Sequence, residues 1–166
     1  VMAKFGDKVL ITYGGGSIKR SGLYDQVLTL LAGKEIYELP GIEPNPKFNP
    51  SVIEGVRICK EKGIDVILSV GGGSVLDCTK AIAGAACSDA DPWDIVTGKA
   101  PTLKAIPIID IITLAATGSE YDSGAVISRT ETNDKLAYFS PLVFPAVSFI
   151  DPTYTLGDMA RKRMEI

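Results

Sequence analysis

The stretch Val66-Ile-Leu-Ser-Val-Gly-Gly-Gly-Ser-Val-Leu-Asp-Cys-Thr-Lys-Ala-Ile-Ala83 decides the fold. A short, β-branched apolar run breaks at three glycines, and a helix-forming stretch with Asp77 one turn in follows at once. Adjacent glycines leave backbone N–H groups uncovered where the helix begins. Partial positive charge collects there and favours an anion such as a pyrophosphate. The same tetrapeptide, Gly-Gly-Gly-Ser, recurs at 14–17, after Val9-Leu-Ile-Thr-Tyr13. Two strand-to-glycine-loop junctions make a nucleotide or dinucleotide the leading ligand.

Strand and helix patterns alternate outward from this stretch. Residues 8–13 read as a strand, and Leu23, Val27, Leu30 and Leu31 give helical spacing that ends at Gly33. A second strand at 35–39 stops at the rigid loop Pro40-Gly-Ile-Glu-Pro-Asn-Pro46. Val52, Val56 and Cys59 mark one face of a helix closed by Gly63, before a strand at 65–70 and a helix at 74–87. Asp91-Pro-Trp-Asp94 begins a short turn or helix, and 105–114 is another apolar strand. Short strands at 126–129 and 136–139 around a Thr-Asn-Asp turn predict a β-hairpin, and 146–150 is a last strand. The expected fold is α/β: a Rossmann-like, mostly parallel sheet with flanking helices and an inserted hairpin. Residues 1–155 form one cofactor-binding domain in this reading. Residues 156–166, polar and without a packing partner, begin a further segment, and both ends look cut.

Composition narrows the function classes. Apolar residues make up 46% and charged residues 22% of the 166, an ordinary globular balance. A chain of this length buries roughly 70% of its unfolded surface. A net charge of −3 gives no basic footprint for nucleic acid or an anionic membrane. The longest apolar run, 106–116, is interrupted by Pro107 and Asp110 and is too short to span a bilayer. Cys59, Cys78 and Cys87 lack metal-type spacing and read as buried reduced thiols of a cytoplasmic protein. There is no histidine, so the commonest general base and transition-metal ligand are both missing.

Neither glycine loop matches Gly-x-Gly-x-x-Gly, and the second strand ends Glu38-Leu39-Pro40-Gly41 without an acid in the usual ribose position. A carboxylate there would repel a 2′-phosphate. Its absence, with Ser17, Lys19 and Arg20 nearby, favours NADP over NAD. Each site residue also has a plainer reading. The glycine triplets serve equally as tight strand-to-helix turns. Asp77 suits a helix N-terminus, and Ser74 suits a cap. The hydroxyls of Thr113, Thr117 and Ser119 follow a strand end, where open α/β sheets bind ligands, but such clusters also mark turns. Lys135 reads by default as a surface lysine. Asp110, inside an apolar strand, has no evident task.

Together these segments resemble the iron-dependent (group III) alcohol dehydrogenases, in particular their butanol dehydrogenase-like branch. The likeness runs through Tyr13-Gly-Gly-Gly-Ser-Ile-Lys19, Gly41-Ile-Glu-Pro-Asn-Pro46, Ser69-Val-Gly-Gly-Gly-Ser-Val-Leu-Asp77, Asp91-Pro-Trp93, 113–120, Ala125-Val-Ile-Ser128 and Asp151-Pro152. It implies a dehydroquinate synthase-like N-terminal domain that binds NADP or NAD. A helical C-terminal domain would hold iron or zinc through an aspartate and histidines. By resemblance, Gly15, Gly16 and Ser17 receive the adenosine ribose and any 2′-phosphate, and Asn45 sits on the adenine side. Gly72, Gly73, Ser74 and Asp77 hold the pyrophosphate and neighbouring ribose. Thr113, Thr117 and Ser119 line the cleft, Lys135 reaches the nicotinamide ribose, and Tyr154 flanks the cofactor.

The chain departs from the family pattern in several places. Ala115 stands where proline is usual, and Tyr121-Asp122 replaces an asparagine-containing pair. After Leu156 the likeness fades, and the family's first hairpin would precede this chain's start. The resemblance therefore predicts the cofactor-binding part of an alcohol/aldehyde dehydrogenase that acts on a small alcohol or aldehyde. The chain alone would have no metal site, no catalytic residue of its own and no turnover. It implies no nucleic-acid or membrane partner, and a homo-oligomer is compatible with it. The alternatives are a non-catalytic nucleotide-binding module, or a relative of glycerol dehydrogenase or dehydroquinate synthase. Pro44-Asn45-Pro46 and the Asp-Pro-Trp segment lean against the last.

Overall fold

The structure, a computed structural model, describes residues 1–155; the expected segment at 156–166 lies outside the described residues. In chain order the elements are β1 (Lys8–Tyr13), α1 (Ser17–Arg20), α2 (Leu23–Leu30), β2 (Glu35–Leu39), α3 (Ile53–Lys62) and β3 (Val66–Gly71). There follow α4 (Gly73–Ala85), α5 (Pro92–Val96), β4 (Ile108–Ile112), β5 (Gly124–Arg129), β6 (Asp134–Phe139) and β7 (Val147–Ile150). Five strands pair in the order β2-β1-β3-β4-β7, all parallel, and β5 and β6 form a separate antiparallel hairpin. The expected α/β architecture and inserted hairpin are both present.

The central strands read as mostly apolar runs because helices cover both faces of a parallel sheet. Every residue of β3 is buried, as are the last five of β1. Leu10, Ile67 and Ile108 face α3 and α4 on one side, while Val9, Ile11, Leu68 and Ile109 face α2 on the other. Ten of the 13 residues of α4 are buried, because the hairpin packs on its outer side. That double covering makes α4 the hub of the domain. Among the described residues, no helix is long and apolar enough to cross a membrane.

Helix ends follow local chemistry. Gly63 closes α3 with φ +65°, a conformation that favours glycine. The Asp91 carboxylate accepts the Trp93 N–H at 2.8 Å and starts α5. Several boundaries shift by one to a few residues from expectation, and two of the differences touch the site. The strand expected over 105–114 narrows to β4, because the Ile106 N–H turns to the Ala83 carbonyl of α4, at 3.1 Å. Lys135, expected between two strands, lies inside β6, which begins at Asp134.

Candidate functional site

Strand order reverses direction at β1, with β2 on one side and β3 on the other. In doubly wound sheets the crevice beyond the strand carboxyl ends at such a switch point is where ligands bind. Both glycine loops leave the sheet there, and a cleft of about 920 Å³ opens between them. Gly15 and Ser17 form one wall and Gly72, Gly73 and Ser74 the other. Thr113, Thr117 and Tyr154 also line it, so eight of the expected site residues meet in one place. Ile42, Val75 and Leu114 add apolar surface.

The chemistry of this cleft suits a polyanion. Among the described residues no Asp or Glu lines it, and Arg20 is the one charged side chain on its wall. Helix α4 points its N-terminus into the cleft, and no side chain caps it, so Ser74 does not act as the cap. Its first-turn N–H groups and the positive end of its dipole are available to a ligand. Two glycines are required by geometry. Gly16 precedes α1 with φ +105°, a conformation L side chains rarely adopt. At Gly73 a Cβ would lie 2.6 Å from Thr117 Oγ1, so any larger residue would have to displace that hydroxyl.

Five expected residues are not on the cleft wall: Gly16, which lies between two that are, and four others with specific reasons. Asp77 is occupied within the protein: Oδ1 accepts from Ser119 Oγ at 2.7 Å and Oδ2 from the Val126 N–H at 2.9 Å. Burial pushes its carboxyl above the ordinary value, although both hydrogen bonds and Lys80 act in the other direction. Ser119 is buried beneath it. Asn45 and Lys135 were assigned to opposite ends of the cofactor, but Lys135 Nζ donates to Asn45 Oδ1 at 2.9 Å. That hydrogen bond brings the two residues together at one place in this structure.

Sequence reasoning missed Lys80. Its side chain is fully buried, and its ammonium lies 2.7 Å from Ser119 O, 3.0 Å from Ser119 Oγ and 2.8 Å from Gly124 O. Asp122 adds its carbonyl at 2.9 Å and Oδ1 at 2.7 Å. Three N–H donors are thus shared among five oxygens. With Asp77 one turn earlier, Lys80 ties α4 to residues 119–126, the segment that follows Thr117. Asp122, a departure from the family pattern, has this structural partner. The visible signal was a lysine beside the apolar run Ala81-Ile-Ala83 of a helix expected to pack on the sheet.

Asp110 also gains a context. Register aligns Thr12 with Ser69, Ser69 with Asp110, and Asp110 with Ser148, a polar row across four strands on the α4 side. Thr12 and Thr79 of α4 join hydroxyls at 2.6 Å. Both carboxyl oxygens of Asp110 and the Ser69 hydroxyl are buried without a hydrogen-bond partner among the described residues. Burial pushes the Asp110 carboxyl up to about 7; the charge on Glu120 adds to this, while Ser69 and Lys80 work against it.

Metal ligands are a different matter. Among the described residues no three His, Cys, Asp or Glu side chains come together as a metal-binding group. The described residues do not fit the iron or zinc of the family.

The family model of iron-containing alcohol dehydrogenase matches residues 1–152. The chain belongs to the iron-containing alcohol dehydrogenase family. It is 57% identical over 153 residues to a probable NADH-dependent butanol dehydrogenase 1 of Bacillus subtilis, covering 91% of this chain and 39% of that protein. It is 49% identical over 151 residues to the NADPH-dependent aldehyde reductase YqhD of Escherichia coli, covering 89% and 39%. The crystal structure of an NADH-dependent butanol dehydrogenase A from Thermotoga maritima superposes with a TM-score of 0.87 at 43% identity, covering 92% of this chain and 38% of that one. The chain thus spans about two-fifths of the length of the family members it matches. Within the family, the part it spans is the one carrying both glycine loops.

Proposed function

We infer that this chain binds a nicotinamide dinucleotide in the cleft between its two glycine loops, and serves an alcohol or aldehyde dehydrogenase in doing so. The observation that carries this reading is the uncapped N-terminus of α4, which faces a cleft with no carboxylate among the described residues, beside a glycine where a Cβ would displace Thr117. The pyrophosphate would rest on the backbone of Gly72, Gly73 and Ser74, where N–H groups and the helix dipole meet its charge. Ser17 and Arg20 would receive the adenosine end, with Gly15 and Gly16 allowing close approach. Thr113, Thr117 and Tyr154 would orient the remainder. Asn45 and Lys135 would act as one pair beside the cleft, next to Pro44, which lines it.

The bound cofactor would supply hydride exchange with an alcohol or aldehyde carbon. This chain's residues bind, orient and neutralise charge; they offer no metal ligand set, so we expect no turnover from the chain alone. NADP is the preferred form in this reading, supported by Arg20, Ser17 and the absence of a carboxylate from the cleft. Relatives at similar identity are named for NADH and for NADPH, so kinship supports either nicotinamide cofactor. The test is amide mapping by NMR on addition of NADPH. Shifts should concentrate at 14–20, 71–75 and 113–117. Shifts scattered elsewhere, or none at millimolar cofactor, would remove this function. A non-catalytic nucleotide module would show the same map, and restored butanal reduction on adding a separately expressed C-terminal partner separates the two.

A further inference from the structure

Glu38 is the penultimate residue of β2, on the side of the sheet that faces α2. It is one residue short of the strand end that the sequence leaves without an acid, and about 20 residues beyond the first glycine loop, close to the spacing at which an acidic residue reaches a ribose 2′-hydroxyl in dinucleotide-binding folds. A carboxylate in that role favours NAD(H) and repels a 2′-phosphate. Here the carboxylate is held elsewhere. Tyr13 donates its phenol O–H to Glu38 Oε2 at 2.7 Å, and Tyr24 donates to Oε1. The Lys19 ammonium lies 4.6 Å from the Tyr24 ring centroid and 5.3 Å from that of Tyr13, and its charge acts on the same carboxylate. Burial alone would raise the Glu38 carboxyl, but the two phenols and Lys19 outweigh it and keep it below the ordinary range. None of these four residues lines the cleft, whereas Ser17 and Arg20 beside them do.

We propose that Tyr13, Tyr24 and Lys19 act as positioning residues for cofactor selectivity, holding the Glu38 carboxylate away from the ribose so that a 2′-phosphate is tolerated. The proposal rests on the cofactor reading above. Releasing Glu38 gives it back to the ribose: NADH gains a hydrogen-bond acceptor and NADPH meets a negative charge. No bond is made or broken, and only the ratio of two affinities changes.

The experiment measures dissociation constants for NADPH and NADH by nicotinamide fluorescence on the chain, on Tyr24→Phe and on Tyr13→Phe/Tyr24→Phe. The ratio Kd(NADH)/Kd(NADPH) should fall about threefold in the single variant and at least tenfold in the double variant. Adding Glu38→Gln to either should restore it, because an amide does not repel phosphate. Tyr24 is half-buried and its replacement keeps the ring, so the single variant carries the test if the double variant does not fold. A ratio within experimental error of the parent in Tyr24→Phe, with binding intact, would overturn this proposal and leave the cofactor reading standing. A fall that Glu38→Gln does not reverse would also overturn it. Failure of the parent chain to bind either cofactor would overturn the reading beneath it, and the proposal with it.

Discussion

The hydroxyl of Thr117 occupies the space over Gly73: a Cβ on that glycine would come within 2.6 Å of Thr117 Oγ1. The loop after β4 and the first residue of α4 are therefore fitted to each other at the point where a pyrophosphate would sit. Gly73→Ala should force Thr117 outward and narrow the cleft. The expected result is a loss of NADPH affinity of at least tenfold, about 1.4 kcal/mol, measured by fluorescence titration. Affinity within twofold of the parent would mean that the phosphates do not rest there.

Among the described residues, Arg20 is the one charged side chain on the cleft wall. Arg20→Gln should weaken NADPH about tenfold and NADH about twofold, because only the former carries a 2′-phosphate for the guanidinium to meet. Equal losses for both would place Arg20 at the pyrophosphate instead.

Lys80 predicts an order of stabilities. Lys80→Met leaves several buried oxygens without a donor and should cost about 2–4 kcal/mol in urea unfolding. Asp122→Asn should cost about 1 kcal/mol, since Asp122 Oδ1 is one of five acceptors and its side chain is 53% exposed. The reverse order would mean that the ion pair, and not the cage of carbonyls, holds the segment.

Asp110 predicts a pH dependence. An unfolded aspartate ionises near 3.8, whereas in the fold this carboxyl keeps its proton to about 7. Below 3.8 both states are protonated and this group costs nothing. As pH rises from 3.8 to 7 the unfolded chain gives up the proton and the fold does not, so stability falls, by on the order of 4 kcal/mol, and then levels off. With no histidine in the chain, few other groups titrate in the upper half of that window. Asp110→Asn should therefore be more stable than the parent at pH 8 by roughly 1–4 kcal/mol, with a flatter profile from pH 5 to 8. An unchanged slope in the variant would contradict this.

The sheet was legible because its information is local. β1 and β2 have the bounds that the apolar run 8–13 and the stretch 35–39 suggest, and the glycine breaks mark where the chain leaves the sheet. The convergence of Gly15, Ser17, Gly72, Gly73 and Thr117 follows from parallel strands ending on one edge. What stayed hidden depends on partners distant in sequence. Lys80 finds its oxygens at 119–124, and Asp77 gives its carboxylate to Ser119 and Val126, not to the cleft. The Thr12-Ser69-Asp110-Ser148 row exists only once the register of four strands is set. Glu38 looked irrelevant to the ribose by its place before Leu39; only packing shows that two tyrosines and a lysine restrain it.

The most direct test of the central claim is calorimetric titration of this chain with NADPH, with NADH alongside. Saturable binding at one site per chain, tighter for NADPH and weakened by Gly73→Ala, is the predicted result. Heat of dilution alone with both cofactors would contradict it.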